Sequence, residues 1–163
     1  EKLINALKLD SFTGLYNKKS SIELIRKSLS ENSMQEHALV LLDIDGFKSF
    51  NDTYGHAVGD NIVRLVADTV KNLFRATDIV GRFGGDEFIL FIKNTPSREW
   101  LIEKLHKLIR CEEGNYCCTN SIGISMFPQD ATEFNLLFEK ADRALYQSKL
   151  AKGKIAFFSE QNI

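Results

Sequence analysis

The chain has 163 residues, 44% of them hydrophobic and 26% charged, which suits one soluble domain large enough to bury a core. A net charge of −1 gives no electrostatic basis for wrapping nucleic acid or coating a membrane, and no apolar run nears the ~18 residues of a membrane span. Three cysteines without a C-x-x-C pair exclude a disulfide framework or a zinc site and read as reduced core thiols of a cytoplasmic compartment. The start, EKLINALKLD, reads as a cut with no signal peptide. Residues 1–9 are expected to end a linker helix from an upstream region, with Leu3, Ile4 and Leu7 continuing a stalk. On this reading the domain is the cytoplasmic part of a larger, membrane-associated sensor, or a cytoplasmic protein as it stands.

In chain order, a first helix is expected over Lys18 to Leu29. ALVLLDID is a buried-strand run ending in acids, and a helix should start near Gly46. Val58, Ile62, Leu65, Val66, Thr69 and Leu73 then keep one helical face, with Gly55 and Gly59 as turn and loop residues and His56 as structural. DIVGRF and DEFILFIK are strands around Gly84-Gly85, expected to form a two-residue hairpin loop with φ > 0. Trp100, Leu101, Leu105, Leu108 and Ile109 mark a helix capped by Ser97. CCTNSIGISMF alternates, with Ile122, Ile124 and Met126 on one face and Thr119, Ser121 and Ser125 on the other. Phe134, Leu137, Phe138, Ala141 and Leu145 mark a last helix before Gly153, and IAFF a last strand. The fold class is α+β: a βαββαβ, ferredoxin-like or palm-type sheet containing antiparallel strands, flanked by helices, with an added C-terminal helix and strand. The first strand should lie centrally, beside the strand after the hairpin.

That neighbourhood brings Asp86 to the sheet end where LLDID finishes. Asp43 and Asp45, two apart, face the same way in a strand, and a strand end does not bury paired carboxylates without a neutralising partner. Asp43, Asp86 and Glu87 make an oxygen-rich site suited to Mg²⁺ held partly by substrate phosphates. Capping of the next helix is the other reading of Asp43 and Asp45. A helix start near Gly46 presents free N–H groups for phosphates, with Lys48 adding charge. Asn51 and Asp60 can each present an amide or carboxylate edge to a base, guanine offering the donor pair that a carboxylate needs, or can cap helices.

RFGGDEF, Arg82 to Phe88, resembles the signature of the GGDEF family, the diguanylate cyclases. The likeness extends to DSFTGLYNKK, to DIDGFKSFNDTYGHAVGD, to SIGIS and to ADRALYQSK, in order along nearly the whole chain. The resemblance implies metal-dependent condensation of two GTP into cyclic di-GMP, with release of two pyrophosphates, between two antiparallel copies that meet at least transiently. It implies two Mg²⁺ or Mn²⁺ per site, held by Asp43, Asp86, Glu87 and the Ile44 carbonyl, with Glu87 also activating the attacking hydroxyl. It implies GTP contacts at Phe47, Lys48, Asn51, Asp60, Gly84, Gly85 and Lys149; aspartate rather than serine at Asp60 favours guanine in both halves. Arg75 and Asp78 match the family's R-x-x-D site for inhibition by cyclic di-GMP, a helix-terminal Arg with an Asp cap being the alternative. The chain departs from the family pattern at Phe12, at Lys18, at Gly153 (four residues after Lys149 rather than three) and at Ile155, which leaves Lys152 or Lys154 for a second phosphate contact. Two other readings stand beside catalysis: a silent GGDEF module sensing cyclic di-GMP or GTP, and a mononucleotide cyclase on a related palm-like sheet, which explains the acids but not Arg82 to Phe88.

Overall fold

A computed structural model describes residues 7–31 and 34–160. The proposed stalk residues Leu3 and Ile4 lie outside them. Asn17 caps α1 (Lys18–Ser30), its side chain accepting from the Ser20 N–H. The central strand β1 (His37–Ile44) is buried along its whole length, which explains its unbroken apolar run. Gly46, with φ 61°, turns the chain into α2 (Phe47–Tyr54), and Gly55, with φ 91°, separates it from α3 (His56–Leu73). The hairpin strands are β2 (Ile79–Arg82) and β3 (Glu87–Ile92). Ser97 caps α4 (Arg98–His106) by accepting from the Trp100 N–H, as its position predicts. A short strand absent from the sequence reading, β4 (Arg110–Glu113), turns through Gly114, φ 60°, into β5 (Tyr116–Phe127). The last elements are α5 (Phe134–Ala151), β6 (Ile155–Phe157) and a 3₁₀ turn over Phe158–Glu160.

Among the described residues six strands form one sheet in the order β2-β3-β1-β5-β4, with β6 parallel beside β5. β1 is antiparallel to both β3 and β5, so it is central and beside the post-hairpin strand, as expected for a ferredoxin-like core. Alternate residues of β1 serve opposite layers. Ala38, Val40, Leu42 and Ile44 meet α3 and α4 residues such as Ile62, Val66, Leu101 and Leu105. Leu39 and Leu41 meet Ile25 of α1 and Leu137, Ala141 and Leu145 of α5. Among the described residues, no helix is long and apolar enough to cross a membrane.

Three expectations are corrected. Gly84-Gly85 is not a two-residue left-handed turn: the Phe83 N–H donates to the Glu87 carbonyl at 2.8 Å, so Gly84, Gly85 and Asp86 all lie in the loop, and neither glycine has a positive φ. Gly59 is not a loop residue but a buried position inside α3. Cys117 is not a core thiol: it faces outward, while Cys118, on the opposite face, is buried across from Cys111.

Candidate functional site

The ends of β1 and β3 build the site. Asp43 pairs with Glu87 across β1 and β3, and the Ile44 N–H donates to the Asp86 carbonyl at 3.1 Å, so the strand register alone brings the acids to one edge. The Asp43 carboxylate is buried, and its Oδ1 accepts no hydrogen bond. Its Oδ2 is held by the Lys149 ammonium from the last turn of α5. The Asp86 carboxyl reaches Asp43, and Glu87 leans back over the loop, with Oε2 3.2 Å from where a Cβ on Gly84 would stand.

Crowded carboxyls resist ionising together. Burial first, then the hydrogen bond and charge of Asp43, with Glu87 adding to them, push the Asp86 carboxyl up to about 7. Burial works against the Lys149 ammonium, but its bond to Asp43 and the charges of Asp43, Glu87 and Asp86 hold it above its ordinary value. Lys149 is thus the positive charge that offsets the acids. Among the described residues no three acidic, His or Cys side chains close into a complete metal cage. The donor set nonetheless fits a hard cation with open positions, because a buried carboxylate oxygen is left unpartnered beside a second carboxyl.

The surrounding surface is shaped for a ligand. Nothing lies within 4 Å of a Cβ built on Gly85, so the loop floor is open. The α2 N-terminus, which follows the end of β1, has no side-chain cap, which leaves its first N–H groups, at Phe47 and Lys48, without a side-chain partner. Asp45 does not cap that helix. It accepts from Thr119 Oγ1 at 2.7 Å, from Ser121 Oγ at 2.6 Å and from the Gly153 N–H at 2.9 Å, tying the turn after α5 to the site. That turn puts Lys152 in the wall of a groove shared with Asp45 and Gly46, while Lys154 lines a different one with Ile102 and His106. Asn51 lies against Gly59, and Asp60 is exposed next to it.

The sequence reading passed over Arg82 and Asp10 as site residues. Arg82 Nε donates to the Gly84 carbonyl at 2.9 Å and Nη2 to the Gly85 carbonyl at 2.8 Å, so one guanidinium holds both glycines. Arg82 Nη1 donates to Asp10 Oδ2 at 3.3 Å, and Asp10 in turn accepts from the N–H and Oγ1 of Thr13. The opening segment therefore braces the loop. Only an arginine two residues before a glycine pair hinted at this.

Away from this edge, Asp78 is fully buried and fully used. It accepts from the Arg75 N–H and the Lys93 N–H, both at 3.0 Å, and from the Arg75 guanidinium at 3.2 and 3.3 Å. Arg75 is 48% exposed and stands at the rim of a cavity of about 490 Å³ lined by Gly14, Tyr16, Lys71 and Asn72. The Asp cap of the alternative reading is therefore present, and the Arg75 guanidinium also donates to the Lys93 carbonyl and lies over the Trp100 ring.

The family profile described as "Diguanylate cyclase, GGDEF domain" matches residues 7–154. The chain belongs to the GGDEF family. This GGDEF domain is 32% identical over 161 residues to the cyclic di-GMP phosphodiesterase NbdA of Pseudomonas aeruginosa, covering 93% of this chain and 21% of that protein. It is 32% identical over 166 residues to the diguanylate cyclase DgcZ of Escherichia coli K12, covering 95% of this chain and 55% of that protein. A crystal structure of the GGDEF domain of DgcB from Caulobacter crescentus, in complex with c-di-GMP, matches with a TM-score of 0.80 at 25% identity, covering 93% of each chain. The α+β sheet with helices on both faces is the architecture of solved GGDEF domains, and the chain spans well under two thirds of either relative's own length.

Proposed function

We propose that this domain condenses two GTP into cyclic di-GMP and two pyrophosphates. The observation that carries the reading is the buried, unpartnered Asp43 oxygen beside an Asp86 carboxyl held up to about 7. Asp43, Asp86, Glu87 and the Ile44 carbonyl would hold Mg²⁺ or Mn²⁺, two per site. When bound, these ions supply neutralisation of the triphosphate charge and lower the pKa of the attacking 3′-hydroxyl. The chain's own residues do the rest. The free N–H groups of Phe47 and Lys48, with the Lys48 side chain, seat the terminal phosphates at the α2 N-terminus. Lys149 turns from Asp43 to a phosphate, and Lys152, on the same side, serves as the second phosphate contact. Gly84 and Gly85 leave room for the nucleotide to lie against backbone that Arg82 holds still. Asn51 and Asp60 read the guanine edge. Glu87 takes the proton from the 3′-oxygen as that oxygen bonds to the α-phosphorus of the facing GTP and pyrophosphate leaves. One copy offers one such floor, so two copies must face each other.

Incubation with GTP and Mg²⁺, followed by mass identification of the product, is the deciding measurement. Cyclic di-GMP is expected, at a rate rising more steeply than protein concentration because the active species is a transient dimer. A mononucleotide product, or a rate strictly proportional to protein, contradicts it. A silent module that binds these nucleotides is the second reading. It is favoured by the likeness to a protein named a phosphodiesterase, and nucleotide binding without turnover would select it.

Arg75 is proposed as the grip for cyclic di-GMP in non-competitive product inhibition, with Asp78 as the residue that orients it. Arg75→Ala is expected to raise the inhibitory concentration of cyclic di-GMP by about tenfold or more through loss of a charged hydrogen-bonding group. An unchanged inhibition curve removes the assignment.

A further inference from the structure

Gly59 sits in the first turns of α3, where a helix has no conformational need for glycine. Its φ is not left-handed and its position is buried. The reason for glycine is a neighbour: a Cβ at this position would stand 1.7 Å from Asn51 Oδ1, 2.8 Å from Asn51 Cγ and 3.3 Å from Asn51 Nδ2. The side-chain amide of Asn51, reaching from α2, fills the space where a methyl group would be. Two facts fix its pose from other sides. The Asn51 carbonyl accepts from the Gly55 N–H at 2.8 Å, which locks the backbone from which the side chain springs. Asn51 Oδ1 is buried and has no hydrogen-bond partner, so its pose is set by shape rather than by a polar contact within the chain.

We propose that Gly59 is a positioning residue for base recognition: its missing side chain seats the Asn51 amide beside Asp60, so that the two present one edge to the base. The proposal rests on the reading of this site as a guanine nucleotide site. The atoms displaced by a larger residue are the far end of a flexible side chain, not backbone, so a methyl group here moves Asn51 without prising the helices apart. Alanine is also the better helix former. Stability and recognition should therefore separate. That separation distinguishes positioning from mere packing.

The test is titration of a non-cyclisable GTP analogue with Mg²⁺ into the wild-type chain, Gly59→Ala, Asn51→Ala, Asp60→Ala and the variant combining Gly59→Ala with Asn51→Ala, with thermal midpoints recorded for each. Gly59→Ala is expected to bind about tenfold more weakly, the scale of one lost hydrogen bond. Its midpoint should be unchanged or higher. In the Asn51→Ala background the same substitution should cause no further loss, because the residue through which it acts is gone. Wild-type affinity in Gly59→Ala overturns the proposal. So does an equal additional loss in the Asn51→Ala background, or a midpoint that falls together with affinity. Saturable wild-type binding that Asn51→Ala and Asp60→Ala leave intact fails the guanine reading itself, a different result from wild-type affinity in Gly59→Ala alone.

Discussion

Asp86→Asn is expected to make the metal-free domain more stable at pH 8 and nearly inactive. In the folded chain the Asp86 carboxyl keeps its proton up to about pH 7, because it is buried and faces Asp43; its ordinary value is 3.8. The folded state therefore binds more protons than the unfolded state between these values, and stability falls as pH rises through that window. The contribution is intact near pH 4 and lost by pH 7 to 8. Because Asp86 is only partly buried, solvent screening reduces the penalty to about 1–2 kcal/mol, or about 3–6 °C in Tm. An uncharged amide avoids it, so the variant should melt above the wild type at pH 8 and level with it near pH 4. Mg²⁺ should raise the wild-type midpoint at pH 8 and have much less effect on the variant. Activity should drop by at least about a hundredfold, since the carboxylate proposed to hold the divalent cation that neutralises the phosphates is replaced by an uncharged amide. Thermal melts at pH 4 and pH 8, with and without Mg²⁺, check the first part, and product formation checks the second. A variant that melts below the wild type at pH 8 would show that Asp86 stabilises the empty site rather than strains it.

The largest stability loss is expected from Gly123→Ala. Gly123 is buried in β5 directly under α5, and a Cβ there would stand 2.2 Å from the Leu145 nitrogen, 2.4 Å from the Ala141 carbonyl oxygen and 2.6 Å from Leu145 Cα. These are backbone atoms of one helix, so no rotamer change relieves the clash and α5 must lift. A loss of about 2–4 kcal/mol follows, on the order of 10 °C in Tm. The same displacement withdraws Lys149 from Asp43, so activity should fall further than unfolding accounts for. Gly85→Ala is the contrasting substitution. A Cβ there meets nothing within 4 Å, and the backbone is not left-handed, so Tm should hold while nucleotide binding falls. Calorimetry on both variants, with analogue binding at a temperature where both are folded, separates the two roles. Equal midpoints for Gly123→Ala and the wild type would mean that α5 does not lie as closely on β5 as described.

Much of this was readable along the chain because it depends on periodicity and order. The helix stripes of α3 and α5, the Ser97 cap, the unbroken apolar run of β1 and the alternation in β5 each follow from side chains a few residues apart. The meeting of Asp43 with Asp86 and Glu87 could also be deduced, since a ferredoxin-like order leaves the post-hairpin strand only one place to pair. The loop at Gly84-Gly85 was misjudged because a glycine pair between strands signals the same tight turn whether the glycines serve φ or clearance. β4 was missed because RCEE is too short and polar to carry a strand pattern; its partner β5 makes it a strand.

What the sequence by itself determined is the family, the layered α+β architecture and the identities of the acids at the strand tips. Local pattern and motif carry those. Only the tertiary structure decided which groups answer those acids: Lys149 on Asp43, the turn at Gly153 on Asp45, Arg82 on the loop carbonyls with Asp10 behind it, and the amide of Asn51 in the space left by Gly59. Asp10 lies 72 residues from Arg82 and Asp45 lies 108 residues from Gly153. Contacts across such separations leave no periodic trace, because chain geometry couples side chains only over a turn or a strand pair. They exist because the sheet and its helices bring distant segments within hydrogen-bonding reach.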